Sequence, residues 1–293
     1  MRYVESPLNY IGSKFTLLRQ IIPLFPANIN TFVDLFNGGC NMGINVNANK
    51  IIFNDNDPHL NSIHETFKNQ PLSTTLQQIN SIIRKHNLSK NNKASYLKFR
   101  EYVNSKDVKE PMEILTIIFY AYNNQIRYNK RGNFMNSSGC GRSSFNDSIR
   151  EKLRRFVLKL QNTNCEFLNK NFREFDFSNL SEDDFVYADP PYLLADTDYS
   201  RREGWNETIE KELYKTLLDL HSKGIKWALS NVLEHKGKTH HLLYDFCKEN
   251  NFNMIFLNKQ YDNANYNAIK ISNSKEVLIV NYPVKKRNGL FSK

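Results

Sequence analysis

Asp184-Phe185-Val186-Tyr187-Ala188-Asp189-Pro190-Pro191-Tyr192 is the stretch of this 293-residue chain from which its architecture is read. Phe185 to Ala188, four apolar or aromatic residues in a row, have the length and composition of a buried strand. They run into a carboxylate, two prolines that cannot continue a ladder, and an aromatic ring. Asp-Pro-Pro at a strand end is an ordinary turn. It is also a loop suited to a flat, amino-bearing ring: Asp189 accepts an N–H, Pro190 leaves a carbonyl available, and Tyr192 supplies a face for stacking.

Outward from there, short apolar runs recur, each followed by loop residues: Phe32 to Phe36, Ile51 to Phe53, Glu166 to Leu168, Trp227 to Leu229, Met254 to Leu257 and Val277 to Val280. With Phe185 to Ala188 they make seven strands, separated mostly by helical patterns such as Ile209 to His221 and His241 to Asn250. This alternation predicts an α/β fold, a Rossmann-like seven-stranded sheet with helices on both faces. The last two runs are joined by an Asn-rich stretch, Tyr261 to Asn267, without helical spacing, which fits a closing antiparallel edge strand.

One gap breaks the alternation. About 110 residues lie between the second and third strands, where a crossover needs roughly a dozen, so an inserted domain is expected there. Ser73 to His86, Lys93 to Val103, Met112 to Tyr122 and Ser148 to Leu160 space apolar residues three and four apart and read as helices. Between them Asn123 to Phe145, rich in Asn, Gly and Ser, reads as a loop. The charge singles out the same stretch: residues 61–160 hold 18 basic and 7 acidic side chains, whereas the rest of the chain holds 22 and 23. The whole formal excess of +10 is therefore local, and a basic excess so confined points to nucleic acid.

Other classes are disfavoured. Cys40, Cys140, Cys165 and Cys247 form no Cys-x-x-Cys pair and have no histidine at ligand spacing, so they read as reduced thiols and no metal is expected. His240 and His241 read as surface or packing residues of a helix, without a carboxylate partner at a metal-site interval. No run of eighteen apolar residues occurs, and Met1 to Pro7 lacks the apolar segment of a secretion signal; a cytoplasmic protein without membrane association is expected.

The first strand ends Phe32-Val33-Asp34-Leu35-Phe36-Asn37-Gly38-Gly39, and glycines there let the backbone turn tightly and approach a ligand. The spacing is not Gly-x-Gly-x-x-Gly, which disfavours a nicotinamide dinucleotide. Asp55, closing the second strand about twenty residues later, stands where an acidic side chain reaches ribose hydroxyls. An adenosine without a phosphate tail suits both features, and an Asx-rich turn at each strand end is the plain alternative. Upstream, Ser6-Pro7-Leu8-Asn9-Tyr10-Ile11-Gly12-Ser13-Lys14 lacks a full Gly-x-x-x-x-Gly-Lys-Ser, so a nucleotide triphosphatase is disfavoured and Lys14 is left as a cation for a carboxylate.

Taken in order, Asn-Tyr-Ile-Gly-Ser-Lys, Asp-Leu-Phe-Asn-Gly-Gly, Phe-Asn-Asp, a basic helical insert and Asp-Pro-Pro-Tyr resemble the Dam-type family of DNA adenine-N6 methyltransferases, which use S-adenosylmethionine. The resemblance extends to Trp227-Ala228-Leu229-Ser230-Asn231 and to Tyr122 to Phe134. It implies a catalytic methyltransferase domain formed by 1–60 with 165–285, a DNA target-recognition insert over 61–164 and a basic tail over 286–293. It places Tyr10 and Lys14 beside the methyl donor, Asp34, Phe36, Gly38 and Gly39 toward its methionine side, Asp55 on its ribose, and Asn171 and Phe172 at its adenine. Asp189, Pro190, Pro191 and Tyr192 then hold the target adenine. Asn9, Tyr122, Asn123, Gln125, Arg127, Asn129, Lys130, Arg131 and Ser137 face double-stranded DNA, with Arg127 at the position that reads a guanine and Tyr122-Asn123 at the wedge.

The implied mechanism extrudes the adenine, at roughly a few kcal/mol, and lets the Asp189 carboxylate and the Pro190 carbonyl accept its two N6 hydrogens, aiming the nitrogen lone pair at the methyl. Aspartate, with an ordinary pKa of about 3.9, is a poor base for an unreacted amine, so its role is polarisation and orientation. Relatives specific for GATC commonly carry Lys where this chain has Asn9, and apolar residues at Gln125 and Ser137, so a different site is expected. A cognate restriction endonuclease is a conceivable partner. RNA-adenine and cytosine-N4 methylation share the Asp-Pro-Pro-Tyr chemistry, and a non-catalytic DNA-binding regulator is the reading from another class.

Overall fold

In the computed structural model, the residues described are 3–10, 12–129, 132–194, 204–258 and 274–284. In chain order the helices and strands are α1 (Leu18–Ile21), β1 (Thr31–Asp34), β2 (Lys50–Asn54), α2 (Pro58–Asn69), α3 (Leu72–Lys85), α4 (Lys93–Asn104), α5 (Pro111–Tyr120), α6 (Asp147–Gln161), β3 (Cys165–Leu168), β4 (Phe185–Ala188), α7 (Glu207–Ser222), β5 (Lys226–His235), β6 (Lys238–Thr239), α8 (His241–Glu249), β7 (Asn253–Leu257) and β8 (Ser274–Val280). Each apolar run read as a strand falls on one, although the first strand ends at Asp34 and leaves Leu35 and Phe36 in the turn. The fold is mixed α/β with mostly parallel pairing among its first strands, the Rossmann-like class expected. The chain divides into two compact units, Met1–Phe15 with Asn37–Asn45 and Ile51–Asn171, and Thr16–Phe36 with Val46–Lys50 and Phe172–Lys293.

In the second unit β4 pairs in parallel with β1 on one side, Val33 against Val186, and with β5 on the other, Val186 against Trp227. Every β4 residue is buried, which is why its sequence does not alternate. Phe25, Phe32, Phe185 and Tyr187 cluster beside it at ring separations of 4.8 to 6.4 Å. At roughly 1.5–3 kcal/mol per buried large side chain, such a cluster fixes the register of the strand and hence the place of Asp189. Helix α7 turns Leu213, Leu217 and Leu220 inward at helical spacing and packs on β5. The strand expected at the edge is not there. β8 runs antiparallel between β5 and β7, leaving β7 outermost in the order β1-β4-β5-β8-β7. The five residues Glu276–Val280 are accordingly buried, while Phe256 of β7 is half exposed.

In the first unit β2 and β3 pair in parallel, Phe53 against Phe167. The helical patterns of the expected insert form α3 to α6, and α5 is their centre: Met112 through Tyr120 are all buried, and α2, α3 and α4 pack against it. A helix buried all round has no solvent face to keep. It ends at Tyr120 rather than at Tyr122, because Ala121 is extended and the Tyr122 N–H turns to the Ser137 carbonyl, 2.8 Å away. From there Tyr122 to Ser138 form an arm closed by the bridges Ala121–Ser138 and Tyr128–Phe134. Helix α2 went unread in the sequence; Asp57 caps it by accepting the His59 N–H at 3.0 Å, and Pro58 fills its first turn.

Tyr261 to Asn267, the tail 286–293, and Lys130 and Arg131 lie outside the described residues. Among the described residues no helix is long and apolar enough to cross a membrane.

Candidate active site

In the second unit the Asp189-Pro190-Pro191-Tyr192 run follows directly on β4. Tyr187, buried, bonds Ser230 of β5 through its hydroxyl at 2.7 Å. Asp189 is half buried and Pro190 buried. The Tyr192 hydroxyl donates to Asp189 Oδ1 at 2.9 Å. Burial first, then the negative charge of Asp189, holds the Tyr192 hydroxyl well above its ordinary pKa, so it stays protonated and remains a donor. The ring read in the sequence only as a stacking face therefore also fixes the rotation of the carboxylate. Tyr187 is pushed the same way for the same two reasons. Asp34, 1 % exposed at the end of β1, stands in register with Tyr187.

Phe36 and Phe172, expected near the donor, touch at 5.7 Å between ring centres. A third ring joins them: Trp205 lies 5.9 Å from each, edge-on to Phe36. Sequence reasoning missed Trp205. The available signal was its place just before Asn206, which caps α7 by accepting the Thr208 and Ile209 N–H groups.

In the first unit the turn at Gly38 and Gly39 is gripped from three sides. Gly38 sits at φ +46°, and a side chain there would strike the Tyr10 ring at 2.7 Å. Its N–H donates to Asp55 Oδ2 at 2.8 Å, and its carbonyl lies 3.2 Å from His64 Nε2. Asp55 also accepts the Asp57 N–H at 2.9 Å, so it holds the turn as well as standing where a ribose partner is expected. His64 is wholly buried, and burial outweighs the Gly38 bond to lower its pKa to about 4; neutral, it can donate from Nε2. Lys14 is buried and donates to the Gly12 carbonyl at 2.8 Å. Asn171 is half buried beyond β3. Asn41 ties this turn to the upstream segment, accepting the Ser6 N–H at 2.9 Å and donating to Ser13 Oγ at 3.0 Å.

The residues expected to face DNA are gathered in the same unit. The Asn9 side chain donates to the Asn123 carbonyl at 2.7 Å across 114 residues of sequence. Tyr122, Asn123, Arg127 and Ser137 are exposed, and Gln125 and Asn129 half buried. Arg127 Nη2 donates to Gln125 Oε1 at 3.3 Å. Arg142, not singled out in the sequence, covers the Tyr122 ring at 5.5 Å and donates to its hydroxyl at 3.1 Å. Among the described residues no group of three or more His, Cys, Asp or Glu side chains is placed to hold a metal ion.

Residues 10–276 match the model of the D12 class N6 adenine-specific DNA methyltransferases. The chain belongs to that family. The match runs from Tyr10 to Glu276 and so takes in both strand-end motifs and the arm. The chain is 44% identical to Modification methylase StsI of Streptococcus sanguinis over 296 aligned positions, covering all of this chain and 45% of that protein. It is 41% identical to Type II methyltransferase M.FokI of Planomicrobium okeanokoites, covering 96% and 43%, and 31% identical to Modification methylase LlaI of Lactococcus lactis subsp. lactis, covering 95% and 43%. The D12-class chain thus spans less than half the length of these relatives. Methyltransferases of this kind generally take S-adenosylmethionine as the methyl donor.

Proposed function

We propose that this chain methylates the N6 amine of an adenine extruded from duplex DNA at a short specific site, with S-adenosylmethionine as donor, as the modification activity of a cytoplasmic restriction–modification system. The observation that carries the reading is the Asp189 carboxylate, locked by the Tyr192 hydroxyl at the end of a buried strand, in a D12-class chain. S-adenosylmethionine, when bound, supplies a methyl group on a positively charged sulfur. Within the second unit the rings of Phe36, Phe172 and Trp205 suit a purine; within the first, the Gly38–Gly39 turn with Asp55 beside it suits a ribose and its neighbours.

The chain's own groups act on the amine. Asp189 and the Pro190 carbonyl accept the two N6 hydrogens, and Tyr192 stacks on the ring while its hydroxyl keeps the carboxylate from turning away. The bonds localise the nitrogen lone pair, which is positioning rather than base catalysis; once the nitrogen has acquired a fourth bond, its now acidic proton passes to the Asp189 carboxylate that already accepts it and from there to solvent. In the insert, 61–164, Arg127 reads a guanine, Tyr122 and Asn123 fill the space left by the extruded base, and basic side chains around them neutralise phosphates, offsetting the roughly few kcal/mol of extrusion. Asn9, Gln125 and Ser137 direct the chain to a site other than GATC, because an amide pairs with adenine's donor and acceptor and neither Gln nor Ser suits a thymine methyl. A cognate endonuclease is the implied partner.

Labelled S-adenosylmethionine offered with mixed-sequence duplex DNA and, separately, with RNA tests the proposal. Label in DNA adenine supports it; label confined to RNA, or none with either, overturns it.

A further inference from the structure

Glu210 is the one side chain on the inner face of α7 that is both charged and wholly buried, at 0 % exposure. Burial of a carboxylate is costly unless donors surround it, and here they do. The Trp205 indole N–H donates to Oε2. The Tyr214 hydroxyl and the Asn231 amide each donate to Oε1 at 2.8 Å. His240 Nε2 lies 3.4 Å from the same oxygen, and because His240 Nδ1 accepts the Leu243 N–H at 3.2 Å, the proton of a neutral ring sits on Nε2, toward the carboxylate. An apolar residue would fill the position more cheaply, as Leu213, Leu217 and Leu220 do on the same face.

What Glu210 adds is the orientation of Trp205. That residue occupies the position before the helix cap, and Glu210 stands four residues into the helix, the pair of positions that ordinarily meet as an apolar staple. Here the meeting is a hydrogen bond to the one polar atom of the indole, which fixes the ring plane as apolar contact cannot. The plane so fixed stands at 83° to Phe36 and 52° to Phe172. Phe36 and Trp205 are half buried, so their faces are not consumed by the core.

We propose that Glu210 is a positioning residue for the methyl donor: through Trp205 it sets the aromatic group that receives the donor's adenine. This rests on the donor reading above, and it adds two residues to those the sequence indicated. The test is binding of S-adenosylhomocysteine, followed by tryptophan emission. The chain has two tryptophans, and Trp227 is wholly buried, so Trp205 is the reporter. Saturable quenching is expected with the unaltered chain. Trp205→Phe should abolish the quench and weaken binding roughly tenfold, in the range of one lost stacking partner. Glu210→Gln should weaken binding by about the same factor and raise the donor KM with kcat changed by less than about twofold, at a far-UV spectrum and urea midpoint that show a folded chain. Quench and affinity unchanged in Glu210→Gln, or weakened only in proportion to unfolding, would overturn the proposal. If Trp205→Phe kept both the quench and the affinity, the proposal alone would fall; if the unaltered chain bound no S-adenosylhomocysteine, the donor reading would fall with it.

Discussion

The acceptor loop of the second unit and the arm of the first are both short polar segments, yet they are held by opposite means. Asp189 to Tyr192 follow a strand buried at every position, and the decisive bond is between two of the loop's own side chains. In the arm Tyr122, Asn123, Arg127 and Ser137 are exposed, and the backbone is held by buried and half-buried side chains beneath them. Asn136, 2 % exposed, accepts the Arg127 N–H at 3.1 Å and donates to the Gln125 carbonyl. The Asn136 carbonyl takes Arg100 at 2.7 Å, and Asn104 bonds both the N–H and the carbonyl of Phe134. Asp189, half buried at the end of a buried strand, is held by a neighbour of its own loop. The exposed side chains of the arm stand on a fixed frame, so they can change identity without costing the fold.

That contrast can be broken most sharply at Asp189. Asp189→Ala should cut methyl transfer by at least about a thousandfold, roughly 4 kcal/mol of transition-state stabilisation, while leaving the urea midpoint and DNA retention close to native; near-normal methylation would refute the role of the loop. The first unit has one place built in the manner of the acceptor loop, the Gly38 turn, and pH probes it. His64 is lowered to about 4 in the folded chain, so the unfolded chain takes up a proton near pH 6.5 that the folded chain refuses. Its contribution to stability is present above pH 6.5 and fades as pH falls toward 4, by on the order of 3 kcal/mol. Urea titrations across that window should show the native chain losing stability relative to His64→Gln; parallel curves would count against a buried neutral imidazole.

Arg127→Ala addresses the arm. It should lower discrimination between the recognised site and its variants at one base pair by about 1–3 kcal/mol without altering stability, read from methylation rates on a panel of single-substituted duplexes; an unaltered ranking would remove Arg127 from readout. The smallest effect is expected at Tyr192→Phe, which keeps the stacking face and deletes the hydroxyl bond to Asp189. A loss of about 1 kcal/mol, or roughly fivefold to tenfold in kcat with the DNA KM unchanged, is predicted. Equal kcat would mean that the hydroxyl does not orient the carboxylate.

The strands that end in the candidate motifs were legible because their signals are local. Phe185 to Ala188 and Ile51 to Phe53 are uninterrupted apolar runs, and both pair in parallel, the first buried at every position. The place of β8 was not legible, since which strand lies between which is set by pairing among residues tens of positions apart. Helix α2 was lost to a local ambiguity: Asp57-Pro58 belongs equally to an Asx-rich turn and to a helix cap with proline in the first turn. His240 illustrates the long-range case. Read as a surface or packing histidine without a carboxylate partner at a metal-site interval, it is the buried cap of α8, with the Glu210 carboxylate, thirty residues earlier, 3.4 Å from its Nε2. Trp205 escaped for the same reason, because the rings that give it meaning come from Phe36 and Phe172. Asp189 needed no such partner to be noticed; its lock by Tyr192 did need the fold.

The central claim, that the Asp189 loop presents the exocyclic amine of a DNA adenine for methylation, is tested most directly by mapping modified bases in the DNA of a methylation-free host expressing this chain. N6-methyladenine at one short sequence, absent from the same host carrying Asp189→Ala, is the predicted result. Unmodified adenine throughout, methyl groups on cytosine instead, or modification that persists in the Asp189→Ala host would contradict it.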